Sequence, residues 1–113
     1  MTSRALEALA EALGRKGEPD DALRAAVEIL AEEPGVHWAA IAFVEGEDLV
    51  VGPTAGTPTE DRRVRVAISF HGDAVGELWV DGDADAAFLT RVAELIAPYV
   101  LIGWDTRGER WEP

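Results

Sequence analysis

No cysteine occurs anywhere in the 113 residues. That absence excludes disulfides, thiolate metal sites and thiol catalysis. Lysine is nearly missing too: Lys16 stands alone beside nine arginines, and 22 acids bring the formal charge to −12. Such a surface repels nucleic acid and anionic membrane, so neither is expected as a partner. No apolar run reaches the length of a membrane span. The start, MTSRALEALAEALGRKG, is amphipathic and acidic rather than continuously apolar, so no signal peptide is expected and the compartment predicted is the cytoplasm. The two histidines, His37 and His71, are too few and too scattered for a metal site. Serine occurs only as Ser3 and Ser69, neither in a nucleophile context. Asp81, Asp83 and Asp85 alternate as in a calcium loop, but the glycine and closing glutamate of that motif are missing. The glycines and prolines from Gly52 to Pro58 make no phosphate cradle, because no G-K-[ST] follows. No metal and no cofactor are expected.

What the chain does have is apolar patterning. A hydrophobic content of 48% supports a real core despite the charge, and the length fits one domain spanning residues 1–113. The strongest pattern is RRVRVAISF (Arg62–Phe70), a short HGD, then AVGELWVD (Ala74–Asp81). Val64, Val66, Ile68 and Phe70 alternate with Arg63, Arg65, Ala67 and Ser69, as in a strand with one buried face. On the return run Ala74, Gly76, Leu78 and Val80 face one way, and Val75, Glu77, Trp79 and Asp81 the other. Sharing one apolar face requires Val66 opposite Leu78 and Val64 opposite Val80. That places Arg63 across from Asp81 and Arg65 across from Trp79, and it predicts a bulge at Gly72.

Ahead of this hairpin, two helical segments are expected. The first (residues 1–17) is capped by Ser3 and runs to about Gly14, with Leu6, Leu9 and Leu13 in one stripe. Pro19, Asp20 and Asp21 open the second, whose stripe is Leu23, Val27 and Leu30, widened by Ala26 and Ile29. Val36–Val44 is apolar on both faces, which predicts a central strand. Trp38, Ala40, Ala42 and Val44 share one side, and Ala39, Ile41 and Phe43 the other. A shorter strand at Asp48–Gly52 completes a hairpin, and Thr57–Asp61 reads as a polar loop. The last helix follows Gly82-Asp83-Ala84-Asp85, with Phe88, Val92, Leu95 and Ile96 on its core face. Pro98 predicts a kink or an early stop near Ala97. A tail at residues 103–113 carries Trp104 and Trp111 among charges.

Val36-His37-Trp38, LVVGPTAGTP (Leu49–Pro58) and GELWVDGD (Gly76–Asp83) resemble the GAF domain, and within it the branch of the free methionine-R-sulfoxide reductases. The resemblance covers roughly Asp21 to Pro98. It implies a reduced GAF/profilin-like α/β (α+β) fold. The sheet would be mainly antiparallel, four-stranded and in spatial order 2-1-4-3, with the helices packed on one face. The departures bear on activity. The family's long middle segment, with its reactive cysteines, is reduced to the loop around Thr57–Asp61. Ala42 stands where the family has an aromatic, Arg63 where it has a substrate-binding glutamate, and Trp79 where it has the first of two aspartates. Trp38 and Asp81 match. The resemblance therefore supports the fold and argues against reductase chemistry.

One constellation remains as a ligand-binding candidate: Trp38, Arg63, Arg65, Trp79 and Asp81, which should share the sheet face away from the helices. An aromatic plane with a guanidinium and a carboxylate beside it suits a small zwitterion or anion. Equally, Arg63 can pair with Asp81 and Arg65 stack on Trp79, so that the face is simply covered. No catalytic residue is assigned. The reading is a non-catalytic, degenerate GAF-like module for protein binding or dimerisation. The alternative is a small-molecule sensor at Trp38, Arg63 and Asp81. A homodimer through the terminal helices is expected, because Leu6, Leu9 and Leu13, with Leu95, Tyr99 and Leu101, offer more apolar surface than one small sheet needs.

Overall fold

A computed structural model describes residues 3–14, 19–60 and 62–104. The cap assigned to Ser3, whose side chain is not described, the side chain of Trp104 and the tail from residue 105, with Trp111, lie outside it. The elements run α1 (Ser3–Gly14), α2 (Pro19–Ala31), β1 (Val36–Glu45), β2 (Asp48–Gly56), β3 (Arg63–Phe70), β4 (Asp73–Gly82) and α3 (Ala86–Trp104). All pairings are antiparallel and the sheet order is β2-β1-β4-β3. This is the expected α+β architecture.

The alternation of β1 decides which face is covered. Ala39, Ile41 and Phe43 join Leu78, Val80 and Ile68 in the core with residues of all three helices. Leu9 of α1, Leu23 and Leu30 of α2, and Leu89 and Ile96 of α3 are fully buried there. The helices thus occupy one face. On the opposite face Ala40 and Ala42 are nonetheless fully buried, because taller neighbours such as Trp79, paired with Ala40, stand over them.

The second hairpin has the register that the apolar match demanded: Arg63 opposite Asp81, Val64 opposite Val80, Arg65 opposite Trp79 and Val66 opposite Leu78. The bulge that permits it lies elsewhere. Phe70 pairs with Asp73 across a two-residue turn, His71-Gly72, both at positive φ (52° and 87°), the signature of a tight hairpin turn. The register shift falls between Ile68 and Ser69, opposite Val75, so the extra residue is Val75 and not Gly72. Val75 is accordingly buried in the core, and Ala74 is exposed, the reverse of plain alternation.

Three further expectations are corrected. β2 does not end at Gly52 but runs to Gly56, because Gly52 and Pro53 form a bulge between the Ala42–Val51 and Ala40–Thr54 pairs. Proline is tolerated there because β2 is an edge strand. α3 does not stop near Ala97; it continues through Pro98 to Trp104. The cost of an interior proline, ~3 kcal/mol, is met by burial of the flanking Val92, Ile96 and Val100 at ~1.5–3 kcal/mol each. Leu95 is not a core residue. The buried stripe of α3 is Phe88, Leu89, Val92, Ala93, Ile96, Ala97 and Val100, and Leu95, 37% exposed, sits off its edge.

Of the leucines offered by the first helix for a dimer, Leu9 and Leu13 are buried within the chain's own core and Leu6 is half-buried at the rim. On α3, Leu95 is exposed and Tyr99 and Leu101 are half-buried. Leu13's carbonyl, in the last turn of α1 where no intrahelical donor remains, accepts a hydrogen bond from the Tyr99 hydroxyl at 2.8 Å. That bond ties the end of α1 to α3.

Candidate functional site

The register of β1, β4 and β3 brings the five candidate residues onto the uncovered sheet face. Trp38 pairs with Asp81 across β1 and β4, and Asp81 pairs with Arg63 across β4 and β3. The Arg63 guanidinium lies 4.6 Å from the centre of the Trp38 ring and 5.8 Å from that of Trp79. Arg65 stacks on the other side of Trp79 at 4.7 Å. Trp38, Arg63, Trp79 and Arg65 thus alternate as an aromatic–cation ladder across three strands.

Asp81 anchors the ladder from below and is fully buried. Arg63 binds it in fork geometry, Nε to Oδ1 at 2.7 Å and Nη2 to Oδ2 at 2.9 Å. The backbone N–H groups of Thr59 and Glu60 donate to the same Oδ2 at 2.9 and 2.8 Å. Four donors thus engage the carboxylate, three on Oδ2 and one on Oδ1. The Arg63 hydrogen bonds, opposed by burial and helped by the Glu60 and Thr59 amides, hold the Asp81 carboxyl at about 2 against an ordinary 3.8. The same Asp81 hydrogen bond raises the Arg63 pKa. Neither group exchanges a proton near neutrality.

The loop after β2 is held over this spot. Thr57 donates its N–H to the His37 carbonyl at 2.9 Å, beside Gly56 at φ 91°. A side chain at Gly56 would strike that carbonyl. Glu60 and Arg62 both take positive φ (63° and 51°), which costs of order 1–3 kcal/mol each and persists only where surroundings enforce it. At Glu60 the Asp81 carboxylate, bonded to its amide, supplies the enforcement. The loop, though short, therefore encloses the Asp81 end of the face.

One participant was not among the candidates. Glu77 Oε1 accepts from Arg65 Nε (2.9 Å), Arg65 Nη2 (2.8 Å) and Trp79 Nε1 (2.8 Å). Burial alone would raise its pKa, but the Trp79 and Arg65 hydrogen bonds win and lower it. The signal was available: Glu77 precedes Trp79 by two residues on the same face and lies diagonal to Arg65. The Thr59 and Glu60 amides left no trace in the sequence.

Among the described residues, concave regions lie beside the loop and between the terminal helices. A cavity of about 310 Å³ beside the loop is lined by Gly35, His37, Thr59, Arg62, Gly82 and Asp83, with Arg62 and Asp83 ion-paired. A larger groove of about 440 Å³ separates α1 from α3, lined by Leu6, Glu7, Ala10, Arg91, Glu94 and Leu95. Among the described residues no three potential ligands cluster for a metal, and no helix is long and apolar enough to cross a membrane.

No protein-family model and no curated protein matches the chain. Solved structures do. The GAF domain of an Acinetobacter phosphoenolpyruvate-protein phosphotransferase superposes with a TM-score of 0.68 at 12% identity, covering 91% of this chain and 96% of that one. The fRMsr of Staphylococcus aureus, solved with its substrate, gives 0.69 at 14% identity over 87% and 94%. The type II free methionine-R-sulfoxide reductase of Thermoplasma acidophilum gives 0.61 at 16% identity over 76% and 96%. The fold is that of a GAF domain, similar to the GAF domain of the phosphotransferase and to the reductase structures alike.

Proposed function

We propose that the chain is a non-catalytic GAF-like module that binds a protein chain, either a partner or a second copy of itself, through the surface formed by α1 and α3. GAF-like folds serve signalling and ligand binding in general, which is the frame for this reading. The observation that carries it is the engagement of Asp81. The one carboxylate on the sheet face that matches the reductase branch is fully buried and held by Arg63, Thr59 and Glu60. It presents no exposed surface to a substrate. The sequence also has no cysteine to act as nucleophile.

A second reading, a small-molecule sensor, draws on one feature. The Arg63 side chain is 26% exposed above Trp38, so an anion could still meet a guanidinium edge. The experiment is a thermal-shift screen of the full chain against amino acids, nucleotides and small acids, run beside sedimentation velocity. A ligand present at a hundred times its Kd stabilises the native state by ~2.7 kcal/mol, a shift of roughly 10 °C or more for a domain this size. Such a shift, lost in Arg63→Ala, replaces the protein-binding reading with the sensor. Free methionine sulfoxide with a reductant should show no turnover; a rate that survives repurification would defeat the non-catalytic reading.

A further inference from the structure

We propose that the groove between α1 and α3 receives a cationic amphipathic helix from a partner protein. The inference rests on the protein-binding reading above and names the class of partner. α1 and α3 run side by side in the same direction: Leu13 meets Tyr99 at one end, and Leu6 shares the groove with Arg91 and Leu95 at the other. Two such helices with an open seam accept a third by ridge-into-groove packing. The walls are apolar, with half-buried Leu6 facing Leu95, which is 37% exposed, and the small Ala10 beside them makes a hole for a leucine-sized knob.

Charge selects among occupants. Glu7 on one wall and Glu94 on the other are exposed, as is Arg91. Among the described residues these three enter no ion pair and no side-chain hydrogen bond. Two unpartnered carboxylates against one guanidinium, on a chain of charge −12, favour a basic occupant. A second copy brings the same Glu7 and Glu94 and another −12. The chain's own last nine residues, DTRGERWEP, hold three acids and two arginines, net −1, and complement the rim no better.

The test is fluorescence anisotropy of the full chain with a labelled leucine–lysine peptide, its leucines at i, i+3, i+4 and i+7. A scrambled peptide of equal composition serves as control. The patterned peptide is expected to bind at least about tenfold tighter than the scramble, because pattern and not bulk charge is recognised. Leu95→Glu, and separately Ala10→Trp to fill the hole, should each weaken binding by about tenfold or more, with the thermal melt unchanged at these exposed positions. Glu7→Lys with Glu94→Lys should weaken it and flatten its dependence on salt. Equal binding of both peptides, or indifference to Leu95→Glu and Ala10→Trp, overturns the proposal. So does a photo-reactive group at position 95 that captures residues 105–113 of the same chain. If the peptide fails but sedimentation gives a dimer that Leu95→Glu splits, only the partner class falls. If there is neither peptide binding nor dimer, the protein-binding reading falls with it.

Discussion

Arg63 and Arg91 both sit among carboxylates and apolar side chains, yet they are treated in opposite ways. On the sheet face Arg63 has a buried carboxylate at 2.7 Å and an indole on each side, and its neighbour Arg65 shares Glu77 with the Trp79 indole. In the α1–α3 groove, Arg91, Glu7 and Glu94 line an apolar seam without pairing. A face whose charges are spent on one another stabilises the fold. A face whose charges and leucines are left open has free energy still to gain from a partner. On the function proposed above, the difference separates structure from recognition, although the sheet face is where sequence reasoning looked first.

The largest expected effect sharpens the first half of that comparison. Asp81→Ala leaves the Arg63 guanidinium, only 26% exposed, without its counter-charge and removes the acceptor of two backbone amides. Breaking a buried pair from one side costs about 3–5 kcal/mol. Urea unfolding should show a loss of that size together with release of the 57–62 loop, read as faster amide exchange at Thr59 and Glu60. A loss below about 1 kcal/mol would mean that the clasp is decorative.

Next in size is acid sensitivity. The folded Asp81 carboxyl, at about 2, lies below its ordinary 3.8, so its stabilisation is fully present above pH 3.8 and disappears as pH falls through 2. The difference corresponds to about 2 kcal/mol. Wild-type stability should decline through this window, and Asp81→Asn, which has no proton to take up, should decline less. Parallel acid curves would remove Asp81 from the account.

The alternation of Arg62–Asp81 was enough to fix the β3–β4 register and the four site residues on that hairpin, because period two and a single buried face leave one consistent match. The place of Trp38 and the strand order came from the resemblance to the GAF domain. The bulge was misplaced because Gly72 serves the turn equally well with or without one. Only packing reveals that Val75, not Gly72, is the extra residue. Leu95 looked like core because heptad spacing from Phe88 is apolar, but Leu89 takes the inward position and the stripe leans away. The loop's share of the clasp on Asp81 was illegible because its donors are backbone amides, which any sequence possesses.

A smaller effect is expected at Glu77. Arg65 is about half exposed (52%) and Glu77 29%, so their pair is worth only ~0.2–1 kcal/mol. Glu77→Gln keeps a hydrogen-bond acceptor for the Trp79 indole and should cost no more than that. Its test is Trp79 emission in a variant where Trp38, Trp104 and Trp111 are phenylalanine. A shift on Glu77→Gln with near-constant stability fits a surface contact. A cost above about 2 kcal/mol would make Glu77 a second anchor like Asp81.

The smallest effect tests the other half of the comparison. If the groove is open surface rather than core, Leu95→Ser should change unfolding free energy by no more than ~0.5 kcal/mol, as substitutions away from packed features do. The neighbouring Leu89, fully buried, is the internal standard: Leu89→Ala should cost about 2–5 kcal/mol from the same helix in the same assay. Periodicity alone cannot tell these two leucines apart, so the contrast measures what the fold decided. A cost for Leu95→Ser that approaches that of Leu89→Ala, and grows with protein concentration, would mean that the groove is already filled in solution by a second copy. A large cost independent of concentration would mean that position 95 is covered by the chain itself, and the distinction between the two faces would collapse.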